Sequence, residues 1–166
     1  MKANSLDGLS RAELEDFLYG LVALQDARRW HEWLDFFTTD CCYWMPLKES
    51  ATDPESELSI FYEDRALMRT RINRLLDPNA AGQQPPTRTS HVIGNVQIAG
   101  SGELAGELKV HSRFAMTEFR RDVHRQYAGR YTHHLCLVDG TVKIRLLRVD
   151  LLGADGLHEY NIQVFI

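Results

Sequence analysis

The sequence predicts an α+β fold, and three observations carry that reading. Apolar residues in the first half recur at helical spacing, and those in the second half recur at strand spacing. Asp139-Gly140 stands between Val138 and Thr141 as a two-residue hairpin turn. Helices followed by a long antiparallel meander pack as helices on one face of a curved antiparallel sheet. A chain of 166 residues suffices for one such domain with a substantial core, so 1–166 is read as a single unit.

The elements follow in order. Ser10 with Glu13 is a capping-box pattern that starts a helix, and Leu14, Phe17, Leu18, Leu21 and Val22 form its apolar face. Trp30, Trp33, Leu34 and Phe37 repeat at i, i+3, i+4, i+7, which predicts a second helix with a large aromatic face against a sheet. Cys42 to Met45 reads as a short strand ended by Pro46, and the polar stretch Lys48 to Ser59 reads as a loop. A third helix is predicted from about Glu63 to Leu76, with Met68, Ile72, Leu75 and Leu76 on one face. Asp77-Pro78 stops it, because proline disfavours helical geometry in the residue before it. Asn79 to Pro86 is a loop. Beyond Arg88, Val92, Val96 and Ile98 alternate with Ile93, Asn95 and Gln97, and Gly100-Ser101-Gly102 reads as a turn. Two further strands carry Leu108, Val110, Phe114 and Met116, then Tyr127, Tyr131, Leu135 and Leu137. The return strand, Val142 to Leu152, is apolar on both parities, which implies a bulge or burial on both sides at an interface. The apolar end, Ile162 to Ile166, is expected to dock on the sheet or on a neighbour.

Composition narrows the function classes. The net charge is −4 and the basic residues are dispersed, which argues against nucleic acid as a partner. The N-terminus lacks the apolar region of a secretory signal, and no run approaches the ~20 residues that span a bilayer. Three cysteines, Cys41, Cys42 and Cys136, suit free thiols in a reducing cytoplasm rather than a disulfide framework.

Seven histidines raise a metal hypothesis, and spacing tells against it. A Rieske cluster needs Cys-x-His and Cys-x-x-His pairs, which the three cysteines do not make. His133 and His134 are neighbours and would point to opposite faces of a strand. No Gly-x-Ser-x-Gly elbow and no phosphate-binding glycine loop followed by a helix occurs. Two polar groups remain. Arg65, Arg69, Arg71 and Arg74 form a basic face of the third helix, read as a solvated face or a subunit interface. Arg88, Ser90, His91 and Asn95 form a cluster at a strand entry, read as structural, as a subunit contact, or with His91 as a general base.

Several short motifs, in order, carry a resemblance. They are Trp33-Leu34, Tyr43-Trp44-Met45-Pro46, Asp53-Pro54-Glu55-Ser56-Glu57, Arg65 with Arg71 and Arg74, and Thr87-Arg88-Thr89-Ser90-His91 with Asn95-Val96. With these the chain resembles, over nearly its whole length, the small (beta) subunits of Rieske-type aromatic-ring-hydroxylating dioxygenases, those of benzoate, toluate and anthranilate enzymes above all. Gly94, before Asn95, and the Ala/Gly-rich stretch Asn79 to Gln84 depart from the family pattern.

The resemblance implies a ketosteroid-isomerase-like, nuclear-transport-factor-like cone. It implies a small subunit without catalytic residues, in a hexamer of three large and three small subunits built on a homotrimer core. The Rieske 2Fe-2S cluster and the mononuclear iron would sit on the large (alpha) subunit, with NADH electrons arriving through a separate reductase. Arg65, Arg71, Arg74, Arg88 and His91 are then the candidates for subunit contacts. Two rivals from other classes share the fold. One is a stand-alone isomerase or dehydratase using Tyr43, His91 and Asp150, as ketosteroid isomerase uses an acid–base set in a pocket; the other is a small-molecule binding module. Both need an open cavity, whereas a cone plugged by Phe114, Met116 and Trp44 favours the subunit.

Overall fold

The computed structural model describes residues 1–3, 5–156 and 161–166. Six strands form one sheet, β1 (Phe37–Pro46), β2 (Ser59–Asp64), β3 (Arg88–Ser101), β4 (Leu108–Arg120), β5 (Val123–Val138) and β6 (Thr141–Leu151), in the order β2-β1-β6-β5-β4-β3. Three helices, α1 (Arg11–Asp26), α2 (Trp30–Leu34) and α3 (Arg65–Leu76), complete the cone, with α1 along β3 and α3 along β1. The fold is the expected α+β cone. The sheet is mixed rather than wholly antiparallel, because β1 runs parallel to β6.

The helices form where the spacing places them. Ser10 Oγ accepts from the Glu13 backbone N–H, and the Glu13 carboxylate accepts from the Ser10 N–H at 2.9 Å. The two residues thereby satisfy free donors of the first turn of α1. Asp64 caps α3 in the same way through the Leu67 N–H. α2 is shorter than its aromatic spacing predicts: it ends at Leu34, and Phe37 opens β1. Phe37 still packs on Trp33, with ring centroids 4.7 Å apart. A run of i+3 and i+4 contacts therefore also arises where a strand folds back beneath a helix. β2 was not expected. It takes six residues ending at Asp64, two of them the expected start of the third helix.

Two bulges set which side chains face inward. In β3 the register with β4 shifts between Gly94 and Gln97, around Asn95 in the left-handed region (φ 53°). Asparagine adopts that conformation more readily than most residues. The shift breaks the expected Val92, Val96, Ile98 face: Val96 is buried, while Val92 is 68% and Ile98 51% exposed. In β6 Ile144 pairs with Leu135 and Leu146 with His134, leaving Arg145 as the extra residue. Val142 and Ile144 join the main core before the bulge, and Leu147, Val149 and Leu151 after it. Leu146 faces the other way, with Trp44 and Ala51. The doubly apolar strand is thus explained by the bulge, one of its two expected causes. Asp139 (φ 51°) and Gly140 (φ 68°) close the β5–β6 hairpin with two left-handed residues, as a type I′ turn requires.

The core is closed by the chain's own tail. The Phe165 ring lies 4.6 Å from Trp33, 5.2 Å from Tyr43 and 5.8 Å from Trp30, centroid to centroid. Val164, Phe165 and Ile166 are all buried.

Candidate functional site

The concave side of the sheet is where an enzyme of this architecture would hold a ligand, and here it is filled. Phe114 and Tyr131 stack at 4.2 Å, Met116 is buried beside them, and the tail occupies the middle. An interior void of about 10 Å³ remains beneath α1. Phe114 and Met116 plug the cone as expected. Trp44 does not, because alternation turns Tyr43 and Met45 inward and Trp44 outward onto Ala51 and Leu146.

The three residues proposed for acid–base chemistry do not converge. Tyr43 is fully buried, burial pushes its phenol up to about 12, and its hydroxyl donates to the Ile166 carbonyl at 3.2 Å. Asp150 lies on the opposite face of the sheet. It accepts from Arg148 at 2.8 Å and from Arg130 at 3.0 Å. His91 has its side chain at the α1–β3 junction, with Nδ1 2.6 Å from Asp26 Oδ1.

Asp26 organises that junction. It accepts from the Thr89 hydroxyl at 2.7 Å and from the His91 backbone N–H at 2.9 Å, besides its contact with the imidazole. Burial alone would raise its carboxyl; the bonds from His91 and Thr89 and the His91 charge outweigh it, so the carboxyl titrates below its ordinary range. The strand-entry cluster is therefore Asp26, Thr89 and His91, not Arg88, Ser90, His91 and Asn95. Ser90 is exposed, Asn95 forms the bulge, and Arg88 lies over the Phe119 ring at 4.7 Å. A signal for Asp26 was present: a carboxylate in the last turn of a helix opposes the helix dipole unless a partner compensates it.

The basic face of α3 divides in two. Arg65 donates to the carbonyls of Leu34, Phe37 and Thr38 at 2.8, 3.0 and 3.2 Å, which ties α3 to the α2–β1 corner. Arg71 donates to Glu63 Oε1 and the Val164 carbonyl, both at 3.0 Å, and covers the rings of Phe165 at 3.7 Å and Phe61 at 4.0 Å. Arg74, by contrast, is exposed and has no bonded partner among the described residues.

The outer face carries two further arginine clusters that single positions in a strand did not reveal. Arg148 lies over Trp44 at 4.5 Å and donates to the carbonyls of Glu49 and Ala51, both at 2.7 Å, pinning the loop after β1. Arg145, the bulge residue, bonds Glu107, whose carboxylate also lies 3.3 Å from His134 Nδ1. That last contact is a close approach rather than a directed hydrogen bond, since His134 Nδ1 has no bond of good geometry. Among the described residues no group of three or more His, Cys, Asp or Glu is placed to hold a metal ion, and no helix is long and apolar enough to cross a membrane. The three cysteines are free, and burial raises each thiol, Cys42 to about 12.

A cone filled by its own C-terminal segment defines a member of the ketosteroid-isomerase-like fold. The chain matches the ring hydroxylating beta subunit family over residues 22–154 and belongs to it. It is 31% identical over 138 residues to the small oxygenase component of the p-cumate 2,3-dioxygenase system of Pseudomonas putida, covering 82% of this chain and 76% of that one. Among solved structures, the beta subunit of benzoate 1,2-dioxygenase from Burkholderia mallei superposes with a TM-score of 0.70 at 25% identity, over 98% of this chain and 100% of that one. A naphthalene 1,2-dioxygenase structure with indole in its active site gives a TM-score of 0.82 at 21% identity, over 99% and 90%, and shows the shared fold.

Proposed function

We propose that this chain is the non-catalytic small subunit of a multicomponent dioxygenase that adds both atoms of dioxygen to a benzoate-like or other simple arene. The single observation that carries the reading is the filled cone: among the described residues its concave side is packed around a void of about 10 Å³ beneath α1, and Tyr43, His91 and Asp150 are dispersed. The similarity to p-cumate and benzoate systems supports an aromatic ring as the substrate. The Rieske cluster and the mononuclear iron belong to the large subunit, and electrons come from NADH through a separate reductase. The small subunits form a trimeric core for three large subunits in the cytoplasm. Arg74 and Arg88, which are exposed residues, are the arginines that reach a partner directly. Arg65, Arg71 and His91 act by holding the corner, tail and helix that shape the contact surface.

The test is co-expression with a Rieske-type large subunit, followed by light scattering and an assay for ring dihydroxylation. Co-purification at equal stoichiometry, with three copies of the 19.1 kDa chain per complex, is the expected result. A chain that stays monomeric beside its candidate partners and alone dehydrates or isomerises a substrate would sink the proposal.

A further inference from the structure

The side of β3, β4 and β5 that faces away from the core bears no helix among the described residues. α1 meets β3 through Thr89 and His91, which alternate with the outward residues Arg88, Ser90 and Val92. Strand register sets the outward residues in rows. Val92 lies opposite Ala115, and Ala115 opposite Ala128, a flat row of small apolar side chains in which Val92 is 68% exposed. Arg88 stands to one side of this row, over the Phe119 ring. Arg113 stands to the other side, opposite Arg130, which lies opposite Asp150.

That face is cationic. Asp150 is shared by Arg130 at 3.0 Å and Arg148 at 2.8 Å, and Glu49 reaches Arg130 at 3.2 Å. Arg113 is exposed and, like Lys109, has no carboxylate partner among the described residues. The crowding is felt at His111, which burial lowers and which Arg130 and Lys109 lower further. With Arg88, five cations face two carboxylates in a chain whose net charge is −4, so the balancing negative charge lies elsewhere on its surface. The loop between β1 and β2 carries part of it. Glu49, Asp53, Glu55 and Glu57 stand there against Lys48 alone. This loop holds its own shape: Asp53 accepts from the Ser56 hydroxyl at 2.7 Å and the Glu55 N–H at 3.0 Å, and Glu57 from the Thr52 N–H at 2.7 Å. Leu58 follows, 78% exposed.

A ring of three copies closes only through heterologous contacts, in which one surface of each copy meets a different surface of the next. This chain presents two such surfaces, opposite in charge and each with an apolar element. We infer that the outer face of β3, β4 and β5 seats the β1–β2 loop of a second copy of this chain, with the loop's carboxylates toward Arg88 and Arg113 and Leu58 on the Val92–Ala115–Ala128 row. The inference rests on the reading of a trimeric core. Exposed ion pairs contribute little each, so the charges set register and direction, while burial of Leu58 and Val92 supplies attraction. A loop that is already ordered loses little entropy on docking.

The double variant Leu58→Cys/Val92→Cys tests the contact, in the isolated chain and in its complex with the large subunit. Within one chain the two positions lie at opposite edges of the sheet, so a disulfide between them joins two copies. Mild oxidation should give linked pairs and triples on a non-reducing gel, and neither single variant should. Arg113→Glu should weaken association between copies by about tenfold or more, with the thermal midpoint unchanged. Absence of the link from both the isolated chain and a complex that holds three copies would overturn the inference. So would an Arg113→Glu variant that sheds the large subunit while its copies stay together, which would assign the face to the large subunit. A link between copies in a chain that binds no large subunit would sink the dioxygenase reading and leave this contact standing.

Discussion

The guanidinium of Arg71 lies over the Phe165 ring, 3.7 Å from its centroid, while donating to the carbonyl of the preceding residue, Val164. One helix side chain thus holds both the ring and the backbone of the tail. Phe165→Ala should create a cavity among Trp30, Trp33 and Tyr43 and cost about 3–5 kcal/mol. Arg71→Lys should also destabilise, because an ammonium cannot stack and fork at once. Urea unfolding of both variants checks this. Midpoints equal to the parent's would mean that the tail does not seal the core.

Asp26 accepts three bonds from two residues of β3, so Asp26→Ala should leave the Thr89 hydroxyl, the His91 N–H and its imidazole without their acceptor. The expected cost is about 1–3 kcal/mol. Amide exchange should accelerate locally at residues 23–27 and at 89–91. Uniform acceleration over the whole chain would show that the cluster has no local pinning role.

Stability should depend on pH through buried histidines. Burial lowers His133 to about 3 and also lowers His111 and His134, whereas in the unfolded chain each titrates near ~6.5. Below about pH 6.5 the unfolded state therefore binds more protons than the folded one. The stabilisation is fully present above that pH and is lost as pH falls toward about 3. The urea midpoint should drop steadily from pH 7 to pH 4.5, and His133→Asn should flatten the slope. A midpoint that is flat over that range in the parent would contradict the burial.

Arg74→Glu and Arg88→Glu separate assembly from folding. Each side chain is exposed, so the thermal midpoint of the isolated chain should move little, within roughly 0.5 kcal/mol. Native mass after co-expression should shift toward free subunits. If both variants assemble like the parent, these arginines are solvated rather than interfacial.

Most of the fold was legible because its signals are local. The Ser10–Glu13 box, the Asp139-Gly140 turn and the two-sided strand around Arg145 each declare themselves within a few residues. β2 stayed hidden because its pairing with β1, Trp44 opposite Tyr62, spans a charged stretch without clean alternation. The parallel pairing of β1 with β6 is likewise invisible, since no local spacing encodes which distant strand is a neighbour. The polar clusters were half legible. His91 stood out by type, but Asp26 is 65 residues away and Val164, the Arg71 acceptor, 93 residues away. Such pairings are products of topology, and a sequence shows only one end of each.

The parallel contact of β1 with β6 has a consequence for birth at the ribosome. At ~5–20 residues per second, the roughly 95 residues between the two strands take on the order of 5–20 s to synthesise. Throughout that interval Tyr43 lacks its flanking strand, and Trp30, Trp33 and Tyr43 all lack the Phe165 ring that packs on them. Until Phe165 is made, these three rings form an aromatic surface with no covering partner, so the core can close only after residue 165 has emerged.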